Sequence, residues 1–236
     1  MKHRTKSGEM IRRMVVVAMF CAMAYVVMLL VHIKVGFLTL DVKDAVITLC
    51  GLYFGPASAL FISVAVPLLE LSVSTTGYYG LIMNILGSVS FSVTASLIYK
   101  YRKTLFGAIA ALVSGAFLMV AVMLLANLLI TPFYMGVTVD AVRGMIPTLL
   151  FPFNLLKAIV NVGVVLLLYK SMSRALHRAG LLPSRTVGSN ADAAVAKPRG
   201  RTVTVMIAAV AILLIGASMV LVFTVFDGSI GFGISK

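Results

Sequence analysis

Charged residues are scarce in this sequence: they make up 11% of its 236 residues, whereas hydrophobic residues make up 61%. A soluble domain is usually about half apolar and about a quarter charged. A chain of this composition cannot bury so much apolar surface in a core of its own, so lipid must solvate part of it. The composition therefore excludes an ordinary soluble domain and predicts an integral membrane protein.

The short motifs of catalysis and metal binding are also missing. The sequence has no HExxH, GxSxG or CxxC motif and no glycine-rich phosphate loop. Its two cysteines, Cys21 and Cys50, lie inside apolar runs, which favours small buried side chains over a disulfide or a metal site. We therefore expect a protein that is not an enzyme and holds no metal or cofactor. Any ATP hydrolysis would be supplied by separate subunits.

The net charge of +13 is concentrated in three basic clusters, at 2–13, 100–103 and 170–201. The chain between these clusters has few charged residues. Lysine and arginine retained on the cytoplasmic side of a membrane produce this pattern, whereas a nucleic-acid-binding surface would carry a continuous basic stripe. The charge distribution thus predicts three cytoplasmic segments and no nucleic-acid partner.

Several apolar stretches approach the ~20 residues that a helix needs to cross a bilayer. They lie at 14–31, 81–99, 105–130, 149–169 and 203–226. The region 45–73 is also apolar, but Gly55 and Pro56 interrupt it, which favours two helices that meet at a tight turn. The predicted fold is all-α and membrane-integral: a six-helix bundle plus one additional C-terminal transmembrane helix.

Charge and hydropathy divide the chain into five predicted parts. They are a cytoplasmic basic N-terminus at 1–13, a six-helix membrane domain at 14–175, a cytoplasmic linker at 176–202, an accessory transmembrane helix at 203–226 and an external tail at 227–236. With seven spans, all three basic clusters fall on the same side of the membrane. We therefore expect a multi-pass cell-membrane protein with a cytoplasmic N-terminus.

One predicted helix carries a lysine, although insertion scales assign ~2.5–3.5 kcal/mol to a lysine at the centre of a membrane helix. Lys157 has Asn154 three residues before it and Asn161 four residues after it, so all three lie on one face. Such a face would be very unfavourable in contact with lipid. It should point into the bundle.

Asn127, in the predicted fifth helix, and Asn84, in the fourth, are further polar residues inside apolar spans. One interpretation is a ligand pocket that contains Lys157, Asn154 and Asn127. The other is structural: amides often bridge membrane helices, and Lys157 could form an ion pair with Glu70 in the third helix. The sequence leaves both interpretations open.

Four stretches of sequence carry a family resemblance. They are FLTLDVKDA at 37–45, LYFGPASAL at 52–60, ANLLITPFYMG at 126–136 and FPFNLLKAIV at 151–160. In this order they resemble the substrate-binding S components of energy-coupling factor (ECF) transporters, and in particular the riboflavin-specific branch. The resemblance covers about residues 14–170, and the last stretch is the most specific.

The resemblance implies a vitamin-binding subunit of an ABC-type importer, with riboflavin as the expected ligand. Such a subunit binds its vitamin at the outer face under the first loop and docks on a transmembrane coupling subunit that works with two cytoplasmic ATPases. An S component for another small vitamin or metabolite is the alternative, and a membrane-embedded enzyme or a structural membrane protein is less expected.

The resemblance also assigns functions to individual residues by position. It implies six substrate-binding residues: Leu38, Thr39, Asn84, Asn127, Asn154 and Lys157. Asn154 and Lys157 would hydrogen-bond the flavin, and Thr39 would help to close the first loop over it. Ala18 and Ala22, four residues apart on the first helix, resemble the family's docking surface for the coupling subunit.

Overall fold

The computed structural model describes residues 6–35, 37–74 and 76–181, which form a helical bundle with one short β-hairpin. The helices are α1 (Lys6–Leu30), α2 (Lys43–Phe54), α3 (Pro56–Glu70), α4 (Gly77–Tyr101), α5 (Leu105–Met135) and α6 (Val139–Arg178). The hairpin pairs β1 (Ile33–Val35) antiparallel with β2 (Leu38–Leu40). The predicted helix at 203–226 and most of the predicted linker lie outside the described residues.

Four of these helices, α1, α4, α5 and α6, are long and apolar enough to cross a membrane. Helix α3 is also apolar but has 15 residues. The prediction of a largely helical membrane protein is confirmed, whereas the number of crossings stays a prediction. The hairpin is an exception to the all-α expectation, and it lies in the first loop, between α1 and α2.

The predicted break at Gly55 and Pro56 is confirmed: α2 ends at Phe54 and α3 begins at Pro56. Gly55 has φ +94°, a conformation that glycine adopts without the Cβ penalty of other residues. Pro56 fits the first turn of α3 because an amide N–H there would have no partner within the helix. Arg13 of α1 donates to the Phe54 carbonyl, which caps the end of α2.

Helices α4 and α6 each contain a π-helical turn. In α4 the turn covers Val89–Val93, and in α6 it covers Ile146–Leu150. Pro147 lies in the second turn, where the wider helix accommodates a residue without an amide N–H. The predicted sixth span at 149–169 is therefore part of a longer helix, which begins ten residues earlier, at Val139.

Helix α2 lies at the centre of the bundle. Every residue from Lys43 to Leu52 is buried, and α2 packs against α1, α3, α4 and α6. Its first turn therefore places two charged side chains, Lys43 and Asp44, deep inside an apolar protein. Because a buried charge is unfavourable without a partner, we expect polar partners for both side chains near the start of α2.

Candidate functional site

A cavity of about 460 Å³ lies at one end of the bundle, where α1 and α3 end, α4 begins and the β-hairpin lies over the helices. Its wall contains all six residues that the resemblance assigned to the substrate: Leu38, Thr39, Asn84, Asn127, Asn154 and Lys157. The structure thus brings together residues from the hairpin and three helices. Their contact with a ligand stays a prediction.

The cavity has apolar side walls. They include Met28, Met83, Met119, Met123, Phe37, Phe153, Tyr79 and Tyr134. The Tyr79 and Tyr134 rings lie 6.1 Å apart between centroids. Aromatic rings and adaptable methionine side chains suit a flat, largely apolar ligand, and a few polar groups can then fix its orientation.

The hairpin is anchored on α6. Val35 and Leu40 are buried with Phe153 and Leu156 in a small apolar cluster. The half-buried Leu38 packs against this cluster, and both Leu38 and the half-buried Thr39 line the cavity. The hairpin therefore supplies one wall of the site from a strand rather than from an irregular loop.

Lys157 is held by two carboxylates. Its Nζ lies 3.0 Å from Asp41 Oδ2 and 3.8 Å from Asp44 Oδ2, and 11% of its side chain is exposed. The alternative expectation of an ion pair between Lys157 and Glu70 is wrong, because Glu70 pairs with Lys43. The physical reason is that two carboxylates lie closer to Lys157: Asp41 in the connection between β2 and α2, and Asp44 in the first turn of α2.

Lys43 completes a cluster of five buried or nearly buried charges. Its side chain is fully buried, and its Nζ lies 3.8 Å from Asp41 Oδ2 in addition to its pairing with Glu70. Burial alone would raise the pKa of the Asp41 carboxyl, which precedes α2. The charges of Lys157 and Lys43 and its hydrogen bonds with both residues outweigh burial, and they hold this pKa below its ordinary value.

Asp44 is partly satisfied from another helix. Its Oδ1 accepts a hydrogen bond of 2.5 Å from Ser88 of α4. Within the described part of the chain its Oδ2 is buried with no hydrogen-bond partner, although Lys157 is 3.8 Å away. The cluster thus has three carboxylates against two ammonium groups, and Lys157 is the cation nearest to Asp44 Oδ2.

Asn161 proves to be structural. It does not line the cavity; its Oδ1 accepts the Ala45 N–H at 2.8 Å, and its Nδ2 donates to the carbonyls of Asp41 at 3.2 Å and Lys157 at 2.9 Å. These contacts fix the start of α2 against α6. The structural interpretation therefore holds for this amide.

The other amides differ in what they offer to the cavity. Asn127 donates to the Met123 carbonyl at 2.7 Å and accepts from Thr131 at 3.0 Å, so its amide is bonded within α5. Asn154 donates to the Leu150 carbonyl at 2.8 Å, while among the described residues its Oδ1 has no hydrogen-bond partner. Asn154 consequently presents a hydrogen-bond acceptor, and the half-buried Asn84 adds a further amide from α4.

Sequence reasoning missed three residues of this site: Asp41, Lys43 and Asp44. They stand within four positions of one another, immediately before an apolar run. That concentration of charge was a usable signal. Charges just before a helix are usually solvated, however, and only the tertiary structure shows that these are buried.

Ala18 and Ala22 lie away from the cavity, exposed on the outer surface of α1. Within the described residues they are not part of the buried core. The surface around them remains open to a neighbouring helix.

A bundle of apolar helices that encloses a polar-ended cavity defines a class of membrane proteins that bind a small molecule between their helices. A family model described as the substrate-specific component of ECF transporters matches residues 12–169. This match covers more than half of the chain, and the protein belongs to that family.

One named relative and one solved structure show this similarity in detail. The riboflavin transporter RibU of Staphylococcus aureus (strain TCH60) is 27% identical over 176 residues, which cover 71% of this chain and 93% of that protein. The solved structure of the S component of a bacterial ECF transporter matches with a TM-score of 0.61 and 28% identity, over 70% of this chain and 96% of that chain. The predicted family is confirmed, and these relatives are transport components rather than enzymes.

Proposed function

We propose that this protein binds riboflavin in the cavity at the hairpin end and serves as the vitamin-binding subunit of an ECF-type importer. The observation that carries the proposal is the convergence of six residues, assigned from sequence alone, on a single cavity of about 460 Å³. Pockets for small molecules usually have volumes of ~300–1,000 Å³. The similarity to a protein named as a riboflavin transporter supports the choice of ligand.

The chemistry of the cavity also suits a flavin. Riboflavin joins a flat tricyclic ring, which is largely apolar on its faces, to a hydroxyl-bearing ribityl chain. The methionine and aromatic walls provide an apolar slot for the ring. Lys157, Asn154 and the nearby hydroxyl of Thr39 provide donors and acceptors for the polar groups.

The distribution of charge supports an outward-facing cavity. Arg12 donates to the Ala179 carbonyl at 3.0 Å and Arg13 donates to the Phe54 carbonyl, so the basic start of α1 lies beside the ends of α2 and α6. This end of the bundle is opposite to the cavity. If it faces the cytoplasm, as the positive-inside rule predicts, the cavity faces outward and the N-terminus is cytoplasmic.

A transmembrane coupling subunit with two cytoplasmic ATPases is the proposed partner. Small side chains four residues apart allow two helices to approach closely, and Ala18 and Ala22 present such a pair on the exposed side of α1. We infer that this surface receives the coupling subunit. The helix at 203–226 stays predicted as an accessory transmembrane helix.

The proposal can be tested by uptake of labelled riboflavin in cells that express the protein with a coupling subunit and its ATPases. We expect uptake that unlabelled riboflavin suppresses and that thiamin and biotin do not. If one of the other vitamins suppresses uptake and riboflavin does not, that vitamin is the ligand and the proposal of riboflavin is wrong.

The docking surface is tested with leucine at both Ala18 and Ala22. Because the two alanines point away from the core, the variant should still bind riboflavin in detergent but should lose uptake. Ala110→Leu, at an exposed alanine of α5, is the matched control and should keep both activities. Loss of binding together with uptake would instead show that the pair is needed for folding.

A further inference from the structure

Glu70, the last residue of α3, is a carboxylate that the proposed function has not used. It is 7% exposed and lines the cavity together with Lys157. A carboxylate buried in an apolar bundle is unfavourable unless a cation compensates it. Lys43 supplies this cation by donating to Glu70 Oε2.

The pairing of these two residues is asymmetric. Lys43 is fully buried and is not part of the cavity wall, so it holds the carboxylate from behind. Among the described residues, Glu70 Oε1 has no hydrogen-bond partner. This oxygen is also not fully buried. One oxygen of Glu70 is therefore fixed by the protein, and the other is left as an oriented acceptor at the cavity.

Lys157 is arranged in the same way with the opposite charge. Asp41 and Asp44 hold its ammonium group, and neither carboxylate lines the cavity. The Nζ atoms of Lys157 and Lys43 lie 3.0 and 3.8 Å from the same atom, Asp41 Oδ2. Glu70 and Lys157 consequently belong to one end of the cavity, which presents a fixed acceptor near a fixed donor.

We propose that Glu70 is a specificity-determining residue that accepts a hydrogen bond from the ligand. This inference rests on the proposed function and adds to it the chemistry required of the ligand: a hydrogen-bond donor near an acceptor at its polar end. Riboflavin carries two kinds of such donor, the imide N–H of the ring and the hydroxyls of the ribityl chain. A site built to accept a hydrogen bond discriminates against an analogue that lacks the donor, because the buried acceptor is then unpaired.

A protein–ligand double-mutant cycle tests this assignment. The purified full-length protein and its Glu70→Gln variant are titrated with riboflavin, with 3-methylriboflavin, which lacks the imide N–H, and with lumiflavin, which lacks the ribityl chain. Glu70→Gln should weaken riboflavin binding about tenfold to a hundredfold, as expected for a hydrogen bond to a charged group. The same substitution should have little effect on the analogue that lacks the donor bound by Glu70.

Two further variants separate recognition from folding. Asp140→Asn removes a carboxylate that is exposed and paired with Arg143, and it should leave all three affinities unchanged. If Glu70→Gln alone does not fold, the double variant Lys43→Met/Glu70→Gln removes both charges and leaves neither unpaired. Like Glu70→Gln, the double variant should weaken the binding of riboflavin and should have little effect on the analogue that lacks the donor bound by Glu70.

The outcomes separate the assignment of Glu70 from the proposed binding of riboflavin. Coupling with either analogue supports the assignment and identifies the flavin group that faces Glu70. Equal weakening of all three flavins, or no weakening, overturns the assignment of Glu70 and leaves the proposed function intact. Failure of the unsubstituted protein to bind riboflavin overturns both.

Discussion

The two ends of the bundle satisfy their buried polar groups in different ways. At the hairpin end, a cluster of charged side chains lies beside a cavity, and two of its members, Glu70 and Lys157, line the cavity wall. At the opposite end, three tyrosines lie together: Tyr53 donates to the Tyr169 carbonyl at 2.5 Å, and the hydroxyls of Tyr99 and Tyr169 lie 2.6 Å apart. The Tyr53 and Tyr169 rings stack with centroids 5.8 Å apart.

This difference separates a functional end from a structural end. Neutral hydroxyl pairs contribute about 1 kcal/mol each and satisfy one another inside the protein. Buried ion pairs contribute little net stability and become costly when one partner is removed. Their presence beside the cavity is best explained by what they offer to a ligand. Substitutions of residues that line the cavity should therefore change affinity, whereas those at the tyrosine end should change stability alone.

The largest effect is expected for Lys157→Met. The substitution keeps much of the side-chain volume but leaves Asp41 and Asp44 without their nearest shared cation, which should cost about 3–5 kcal/mol of folding free energy as well as riboflavin affinity. Thermal unfolding in detergent measures the first effect and flavin titration the second. Lys100→Met, at an exposed lysine of α4, is the matched control and should change neither.

The rescue of Lys157→Met identifies its partners. Adding Asp44→Asn removes an uncompensated carboxylate and should restore part of the lost melting temperature. Adding Glu70→Gln should not, because Glu70 is paired with Lys43. Rescue by Glu70→Gln but not by Asp44→Asn would contradict the arrangement of the cluster.

An intermediate effect is expected for two asparagines of α6 that differ in what they contact. Asn161→Ala removes three hydrogen bonds to backbone groups and should lower stability by about 2–4 kcal/mol, at ~1 kcal/mol for each bond. Asn154→Ala removes an acceptor at the cavity and should weaken riboflavin binding about two- to tenfold, with a smaller loss of stability. Melting temperatures and binding curves of the two variants, measured side by side, check this. An Asn154 variant with unchanged affinity would remove this residue from the site.

The smallest effect is expected at the opposite end. Tyr169→Phe deletes the hydroxyl contact with Tyr99 but keeps the stacked ring and the carbonyl that accepts from Tyr53. It should lower stability by about 1 kcal/mol and leave riboflavin affinity unchanged. Tyr101→Phe, at a tyrosine that is 83% exposed, should change neither. A clear loss of affinity in Tyr169→Phe would show that the two ends are coupled.

The polar residues of α6 could be predicted because helical geometry is local. A lysine and an asparagine three positions apart share a face, and lipid excludes that face, so Asn154 and Lys157 had to point inward. The break at Gly55 and Pro56 follows from local backbone chemistry in the same way. The accessory helix at 203–226 stays a prediction, because it lies outside the described residues.

The partners of these residues could not be predicted, because they depend on long-range packing. Asp41 meets Lys157 across 116 positions of sequence, and Lys43 meets Glu70 across 27. In the sequence, the charges at 41–44 resemble an ordinary solvated loop before a helix. They are buried because the hairpin packs on α6 and α2 occupies the centre of the bundle.

The central claim is that the cavity at the hairpin end binds riboflavin, and equilibrium titration of the purified protein tests it most directly. We predict saturable binding of one riboflavin per chain, seen as quenching of flavin fluorescence when the ring enters the aromatic and methionine walls. Binding should be weakened by Asn154→Ala and should be unchanged in Tyr169→Phe. No change in fluorescence at saturating protein, with no flavin retained after size-exclusion chromatography, would contradict the account.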